Sequence, residues 1–197
     1  VRGATVVDME DGLLAGVYPV YGGGGIRTVE DFKALLREGA DKISVNSAAI
    51  SNPQLIADAA EKFEASALSL RLMQGAEQTV QRAGAVYKNG GRIDTGLDAV
   101  EWARKAQELE PGDFADEHGL DGTKAGYDIP LTRAIAQNVV DSVIASGGAG
   151  KMEHFKEALT DGMADAALAA SLFHYKELEI GQVKEYLQKE GVAVRWQ

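Results

Sequence analysis

The stretch Ile144–Leu159, IASGGAGKMEHFKEAL, has an echo 123 residues earlier at Tyr21–Leu36, YGGGGIRTVEDFKALL. Both stretches read as the end of a strand, a pair of glycines, four further residues, and then Glu-x-Phe-Lys at the start of a helix. Each copy continues to a glycine that suits the end of that helix, Gly39 or Gly162, and then to a strand that ends in a small hydroxyl side chain. The chain therefore contains one βαβ unit written twice.

Helices and strands alternate along the rest of the chain. Apolar residues recur at helical spacing in several segments, and Thr28, three residues before Asp31, suits the N-cap of the first of them. Between the helices lie short, nearly continuous apolar runs, which are typical of buried parallel strands. These runs are DKISVNS, SALSLRL, DSVIAS and DAALAAS.

The alternation of helices and strands predicts an α/β protein. A βαβ unit repeated at half-chain distance favours a closed (βα)₈ TIM-type barrel with two similar halves over an open, doubly wound sheet. We expect residues 1–197 to form a single barrel domain.

The glycine pairs suggest where an anion binds. Glycine between a strand and a helix lets backbone N–H groups approach an anion, and the helix N-terminus adds partial positive charge. The following strand would add a hydroxyl donor. A tight βα turn without a ligand explains one such pair equally well. Two pairs on the same rim favour a substrate that carries a phosphate at each end.

Composition narrows the class of function. The net charge of −10 and the pI near 4.8 disfavour a general nucleic-acid or anionic-membrane surface. The chain has no cysteine, which excludes disulfides, cysteine zinc sites and a thiol nucleophile. No apolar run approaches a membrane span, so we expect a cytoplasmic protein. The three histidines are not clustered, which gives a metal site little support, and His154 is expected at the surface of a helix or partly buried in it.

Three stretches carry a resemblance to a known family: GGGGIRTVEDFKALLREGADKISVNSAAISNPQLI, DGTKAGYD, and the segment from IASGGAGKMEHFKEAL to ADAALAASLFH. They resemble the cyclase subunits of imidazole glycerol phosphate synthases, (βα)₈-barrel lyases of histidine biosynthesis. The resemblance runs from about Tyr21 to Trp196.

This resemblance implies an activity and a partner. The reaction would be ammonia-dependent cleavage and ring closure of a phosphoribulosyl formimino carboxamide ribotide, which gives imidazole glycerol phosphate and an aminoimidazole carboxamide ribotide. Ammonia would come from a glutaminase subunit docked at the other end of the barrel, in a heterodimer. No metal or organic cofactor is implied.

The resemblance also implies site residues. One phosphate would contact Gly24, Gly25, Asn46 and Ser47. The other would contact Gly122, Gly147, Gly148, Ala170 and Ser171. Two aspartates, Asp8 in VVDMEDGLLAG and Asp121 in LDGTKAGYD, fall on family positions for general acid and base. Each also has a simpler interpretation, a solvated turn for Asp8 and an Asp-Gly turn for Asp121.

The chain departs from the family pattern at two strands. Counting without gaps from Phe63, the catalytic aspartate after the fifth strand falls on Met73, whose side chain cannot transfer a proton. The sixth strand reads GDFADEHG, where Asp113, Asp116 and Glu117 replace barrel-filling residues, and we expect these charges to conflict with burial.

Length is a further departure. A (βα)₈ barrel takes about 250 residues, so the chain lacks roughly one and a half βα units. An opened barrel would expose strand edges that another chain must cover. Two explanations stay open: a truncated or engineered barrel, or a sequence that is incomplete and partly misassigned.

Two other functions compete with the cyclase. One is a non-catalytic barrel that binds a sugar phosphate or docks a partner, which Met73 favours. The other is the related phosphoribosyl isomerase, also a two-phosphate barrel with an aspartate pair. The sequences of the stretches SGGAGKMEHF and AALAASLFH fit the cyclase better.

Overall fold

A computed structural model of the chain describes residues 21–73, 84–117 and 124–195. Its centre is a parallel sheet of six strands in the order β1-β2-β3-β6-β7-β8. The strands of this sheet are β1 (Tyr21–Gly23), β2 (Lys42–Val45), β3 (Leu68–Met73), β6 (Asp113–Glu117), β7 (Ser142–Ser146) and β8 (Ala166–Leu168). All four apolar runs singled out in the sequence form strands of this sheet.

Helices connect successive strands of this sheet, and two more follow its last strand. In the described residues they are α1 (Val29–Arg37), α2 (Ser47–Ser51), α3 (Gln54–Phe63), α4 (Ala99–Gln107), α5 (Ile129–Ala136), α6 (Met152–Leu159), α7 (Ala170–His174) and α8 (Ile180–Lys189), with a 3₁₀ turn at Ala65–Ala67. The alternation predicted from periodicity is confirmed. The parallel α/β sheet is the architecture from which TIM-type barrels are built, as predicted.

The second unit repeats the strand register of the first. β1 pairs with β2 through Tyr21 and Lys42, and β7 pairs with β8 through Ile144 and Ala166. Tyr21 and Ile144 lie 123 residues apart, whereas Lys42 and Ala166 lie 124 apart, because the second copy has one extra residue in the turn after its helix. Equivalent residues of the two copies therefore occupy equivalent positions along their strands.

The core lies where helices cover one face of the sheet. Val45, Leu70, Phe114 and Val143 stand side by side on that face, and each is at most 3% exposed. A second buried cluster surrounds Phe155 in the last third of the chain. Burying such apolar side chains supplies about 1.5–3 kcal/mol each before the cost of ordering the chain is subtracted.

The sixth-strand stretch, which we expected to fit the sheet poorly, forms β6 in the middle of it. Asp113 is 3% exposed and forms an ion pair with the Lys42 ammonium on the same face of the sheet. Phe114 points to the other face, into the core. Pairing with Lys42 offsets part of the desolvation cost of the carboxylate, but Asp113 Oδ1 is buried without a hydrogen-bond partner among the described residues. The expected conflict is therefore reduced at Asp113 and not removed.

The sequence analysis did not anticipate a β-hairpin in the chain. β4 (Ala85–Lys88) and β5 (Ile93–Asp98) pair antiparallel between β3 and α4. Asn89, Gly90 and Gly91 form the turn with φ of 56°, 71° and 77°. An Asn-Gly dipeptide between two short apolar runs indicates a hairpin, and the stretch KNGG contains this dipeptide.

Candidate functional site

The carboxyl edge of the sheet brings most of the predicted phosphate-binding residues to one side of the molecule. Gly24 and Gly25 follow β1, Asn46 and Ser47 follow β2, Gly147 and Gly148 follow β7, and Ala170 and Ser171 follow β8. The four strands are parallel, so their carboxyl ends meet at the same edge. Four strand spacings of about 4.8 Å separate β1 from β7, or roughly 19 Å measured along the sheet.

The first glycine loop, Gly24 to Thr28, is open to solvent. Gly24 and Gly25 have φ of 92° and 70°, a region in which glycine alone is unstrained. Both glycines are exposed. A methyl group on Gly25 would meet no atom within 4 Å, so only backbone conformation demands glycine there.

A capping box fixes the helix that follows this loop. Thr28 caps α1, and its backbone N–H donates to Asp31 Oδ2 at 2.8 Å, while Asp31 N–H donates to Thr28 Oγ1 at 3.3 Å. Arg27 N–H also donates to Asp31 Oδ2, at 2.9 Å. The Arg27 N–H bond, followed by the Thr28 bonds, lowers the pKa of Asp31 below its usual value. The carboxylate therefore stays ionised and holds the turn.

The hairpin braces the residues after β2. Asn46 Nδ2 donates to the carbonyl oxygen of Tyr87 at 3.1 Å, and Asn89 N–H donates to Ser47 Oγ at 2.9 Å. Ser47 therefore accepts from the hairpin and keeps its own hydroxyl proton for another acceptor. Asn46 Oδ1 is buried without a hydrogen-bond partner among the described residues. Sequence reasoning missed Tyr87 and Asn89 because it missed the hairpin.

The second glycine loop runs from Gly147 to Lys151, and its first three residues, 147–149, are buried, whereas the glycines of the first loop are exposed. Gly147 and Gly148 have φ of 87° and 91°. Gly126 N–H donates to the carbonyl oxygen of Gly148 at 2.7 Å, and a methyl group on Gly148 would overlap the carbonyl oxygen of Gly126. The segment Lys124–Tyr127 thus covers the loop with backbone in direct contact.

Further contacts hold that covering segment in place. A methyl group on Gly150 would come within 2.5 Å of Lys124 Cβ. Lys124 Nζ forms an ion pair with Glu177 Oε2 at 2.5 Å, and Tyr127 OH donates to the carbonyl oxygen of Leu168 at 3.0 Å. The segment is therefore tied to β8 and to the residues after α7.

His154 lies behind the second loop. The side chain was expected at the surface or partly buried, and it is buried, with 7% of the residue exposed. Gly150 N–H donates to Nδ1 at 3.0 Å, and a methyl group on Gly126 would lie 3.6 Å from the ring. Because Nδ1 accepts a hydrogen bond, a neutral imidazole here carries its proton on Nε2.

Several predicted site residues lie outside the described residues. These are the aspartates Asp8 and Asp121 and the glycine Gly122. Met73 is the last residue of β3, so the position assigned to a catalytic aspartate does fall at the carboxyl edge. Ala170 is exposed and Ser171 half-buried at the start of α7.

The opposite, amino edge of the sheet carries buried charge. The Lys42–Asp113 ion pair lies there, and Asp141 immediately precedes β7. Burial, followed by the charge of Asp113, raises the pKa of Asp141 above its usual value.

Residues 21–73, 84–117 and 124–195 contain neither a metal-ligand cluster nor a membrane-spanning helix. No group of three or more His, Asp or Glu side chains in them is arranged to hold a metal ion. None of the helices in these ranges has the length and apolar character that crossing a membrane requires.

The fold and the arrangement of its loops define a parallel α/β protein with paired glycine loops at the carboxyl edge, the class to which TIM-type barrel enzymes belong. The chain belongs to the histidine biosynthesis protein family, whose family model matches residues 13–179.

Curated relatives of the chain support the same family assignment. The chain is 59% identical over 175 residues to imidazole glycerol phosphate synthase subunit HisF of Lachnoclostridium phytofermentans, covering 88% of this chain and 67% of the relative. It is 50% identical over 194 residues to the subunit of the same name from Clostridium botulinum strain 657, covering 98% and 76%. These relatives confirm the resemblance found in the sequence, and they support the predicted cyclase function in histidine biosynthesis and an enzyme of the lyase class.

Proposed function

We propose that the chain catalyses the ammonia-dependent conversion of phosphoribulosyl formimino carboxamide ribotide to imidazole glycerol phosphate and aminoimidazole carboxamide ribotide. The observation that carries this proposal is the pair of glycine loops, repeated in sequence and in strand register, at one edge of one parallel sheet. Two anion-binding turns on the same edge suit a substrate with a phosphate at each end.

Each phosphate is assigned to one copy of the repeat. Backbone N–H groups of Gly24 and Gly25, with the Ser47 hydroxyl and Asn46, form the first site. The second comprises backbone groups of Gly147 and Gly148, Ala170 and Ser171, with Gly122 contributed by the DGTK turn. The reactive middle of the substrate then lies between the two sites, over the centre of the edge.

Asp8 and Asp121 serve as the proton-transferring groups in this proposal. Imine cleavage and ring closure both require a group that takes a proton and a group that returns one, and carboxylates in a closed site suit both tasks. Ammonia reaches the site from a glutaminase subunit, consistent with the relatives' names as subunits of a synthase. The reaction requires no cofactor, and we place it in the cytoplasm.

Turnover with an ammonium salt tests the proposal. The purified chain, given the ribotide substrate and ammonium chloride, should release both products, and omitting ammonium should abolish ring closure. Asp121→Asn should reduce kcat by about 10²-fold or more, the usual contribution of general acid–base catalysis, with a small change in KM.

Met73→Asp is the matched gain-of-function variant, because it restores a carboxylate at the carboxyl end of β3. We expect it to raise kcat. If the chain binds the substrate but neither it nor Met73→Asp releases product, the cyclase proposal is wrong for this chain. A non-catalytic sugar-phosphate-binding barrel, which the methionine at that position favours, then replaces it.

A further inference from the structure

Each copy of the βαβ unit contains an equivalent hydrogen bond, but the side chain that accepts it differs between the copies. Asp31 and His154 occupy the same position of the repeat, the third residue of α1 and of α6. Each accepts a hydrogen bond from the backbone N–H four residues earlier. The bond from Arg27 N–H to Asp31 Oδ2 is 2.9 Å long, and that from Gly150 N–H to His154 Nδ1 is 3.0 Å long.

This bond lies between the glycine pair and the helix. It closes the turn that leads from Gly148 into α6, and so it restrains the backbone on which the glycine N–H groups are carried. An anion held by backbone N–H groups depends on their pre-arranged direction, because ordering the turn on binding would subtract from affinity.

His154 supports the covering segment as well. Its ring lies beside Gly126, whose N–H donates to the Gly148 carbonyl oxygen. One buried side chain therefore contacts both the second loop and the segment that covers it.

Burial accounts for the change of side chain between the copies. The first loop is exposed, so the Asp31 carboxylate keeps contact with water. At the buried position of His154 an ionised carboxylate would be costly, whereas a neutral imidazole offers the same acceptor without a net charge.

We propose that His154 is a positioning residue for the second phosphate loop, with its Nδ1 atom in the role that the Asp31 carboxylate has in the first loop. The inference rests on the proposed function to the extent that both loops bind phosphate.

Amide chemical shifts of the full chain, titrated with inorganic phosphate, test this inference at both loops in one sample. Gly147 and Gly148 report the second loop, and Gly24 and Gly25 serve as an internal control. His154→Phe keeps an aromatic ring without an acceptor, and His154→Asn restores an acceptor near the place of Nδ1.

In His154→Phe we expect the phosphate Kd at the second loop to rise by about tenfold, the equivalent of one lost hydrogen bond, while the Kd at the first loop stays the same. In His154→Asn the Kd at the second loop should return to within a few-fold of the unsubstituted chain. This selective loss with rescue would support the inference.

The opposing outcomes separate the two proposals. If the unsubstituted chain and His154→Phe bind phosphate equally at the second loop, the positioning role is overturned and the phosphate sites stand. A loss at both loops in His154→Phe also overturns it, because the defect is then general. If the unsubstituted chain shows no phosphate-dependent shift at either loop, the phosphate assignment under the proposed function fails, and the inference falls with it.

Discussion

The glycine loop after β1 and the glycine loop after β7 start from the same pattern and are stabilised in different ways. The first is exposed and held by its own capping box, in which Thr28 and Asp31 bond each other's backbone. The second is buried and interlocked with the backbone of Lys124–Tyr127. A repeated sequence thus specifies the path of the turn, whereas the neighbours of each turn set how much change it tolerates.

The largest expected contrast comes from one methyl group placed at matching glycines. Gly148→Ala must adopt a φ of 91° and overlap the Gly126 carbonyl oxygen, so we expect a loss of about 2–5 kcal/mol in the free energy of unfolding. Gly25→Ala meets only the conformational cost, about 1–2 kcal/mol. Urea unfolding of both variants checks the difference. Equal losses would show that the interlock adds nothing.

A second contrast concerns Lys42, which lies where the other copy has Ala166. Lys42→Ala leaves the Asp113 carboxylate buried without its ion-pair partner, and we expect a loss of about 3 kcal/mol in unfolding free energy. The double variant with Asp113→Asn should lose markedly less, because the unpaired charge is gone. A double variant as unstable as Lys42→Ala would assign the loss to packing of the lysine stem.

The capping box of the first loop should show in the pH dependence of stability. The folded-state pKa of Asp31 is lowered, so its contribution is complete above the unfolded pKa and disappears as the pH falls through the folded value. At neutral pH we expect Asp31→Asn to be less stable by up to about 1 kcal/mol. The gap between the two proteins should stay constant from pH 7 down to about pH 4, the usual aspartate pKa, and narrow progressively as the pH is lowered further. A gap independent of pH would contradict the role of the carboxylate.

The smallest effect is expected at Lys156, the counterpart of Lys33 in the repeat. Lys156 Nζ lies 2.6 Å from Glu190 Oε2, and this hydrogen bond and charge raise the pKa of Lys156. Both side chains are more than a third exposed, so Glu190→Gln should lower the urea midpoint only slightly. The difference should vanish near 1 M salt, where the Debye length is about 3 Å. A large, salt-insensitive shift would mean that Glu190 acts through packing of α8.

Several features of this protein could be predicted from the sequence alone. The alternation of helices and strands, the Thr28 cap and both glycine turns were read correctly, because each depends on residues within one or two turns of chain. Periodicity, capping and the need for positive φ are local properties. The repeat also predicted that Asn46 and Ser47 occupy the positions equivalent to Ala170 and Ser171, and the strand register agrees with this correspondence.

Other features were decided by the tertiary structure. The burial of His154, the hydrogen bonds from the hairpin to Asn46 and Ser47, and the Lys42–Asp113 pair each join segments that packing brings together. GDFADEHG looked unsuited to a sheet because its own composition does not show that a lysine 71 residues earlier reaches Asp113. The cost of a buried group depends on what surrounds it in space, and local sequence does not specify those surroundings.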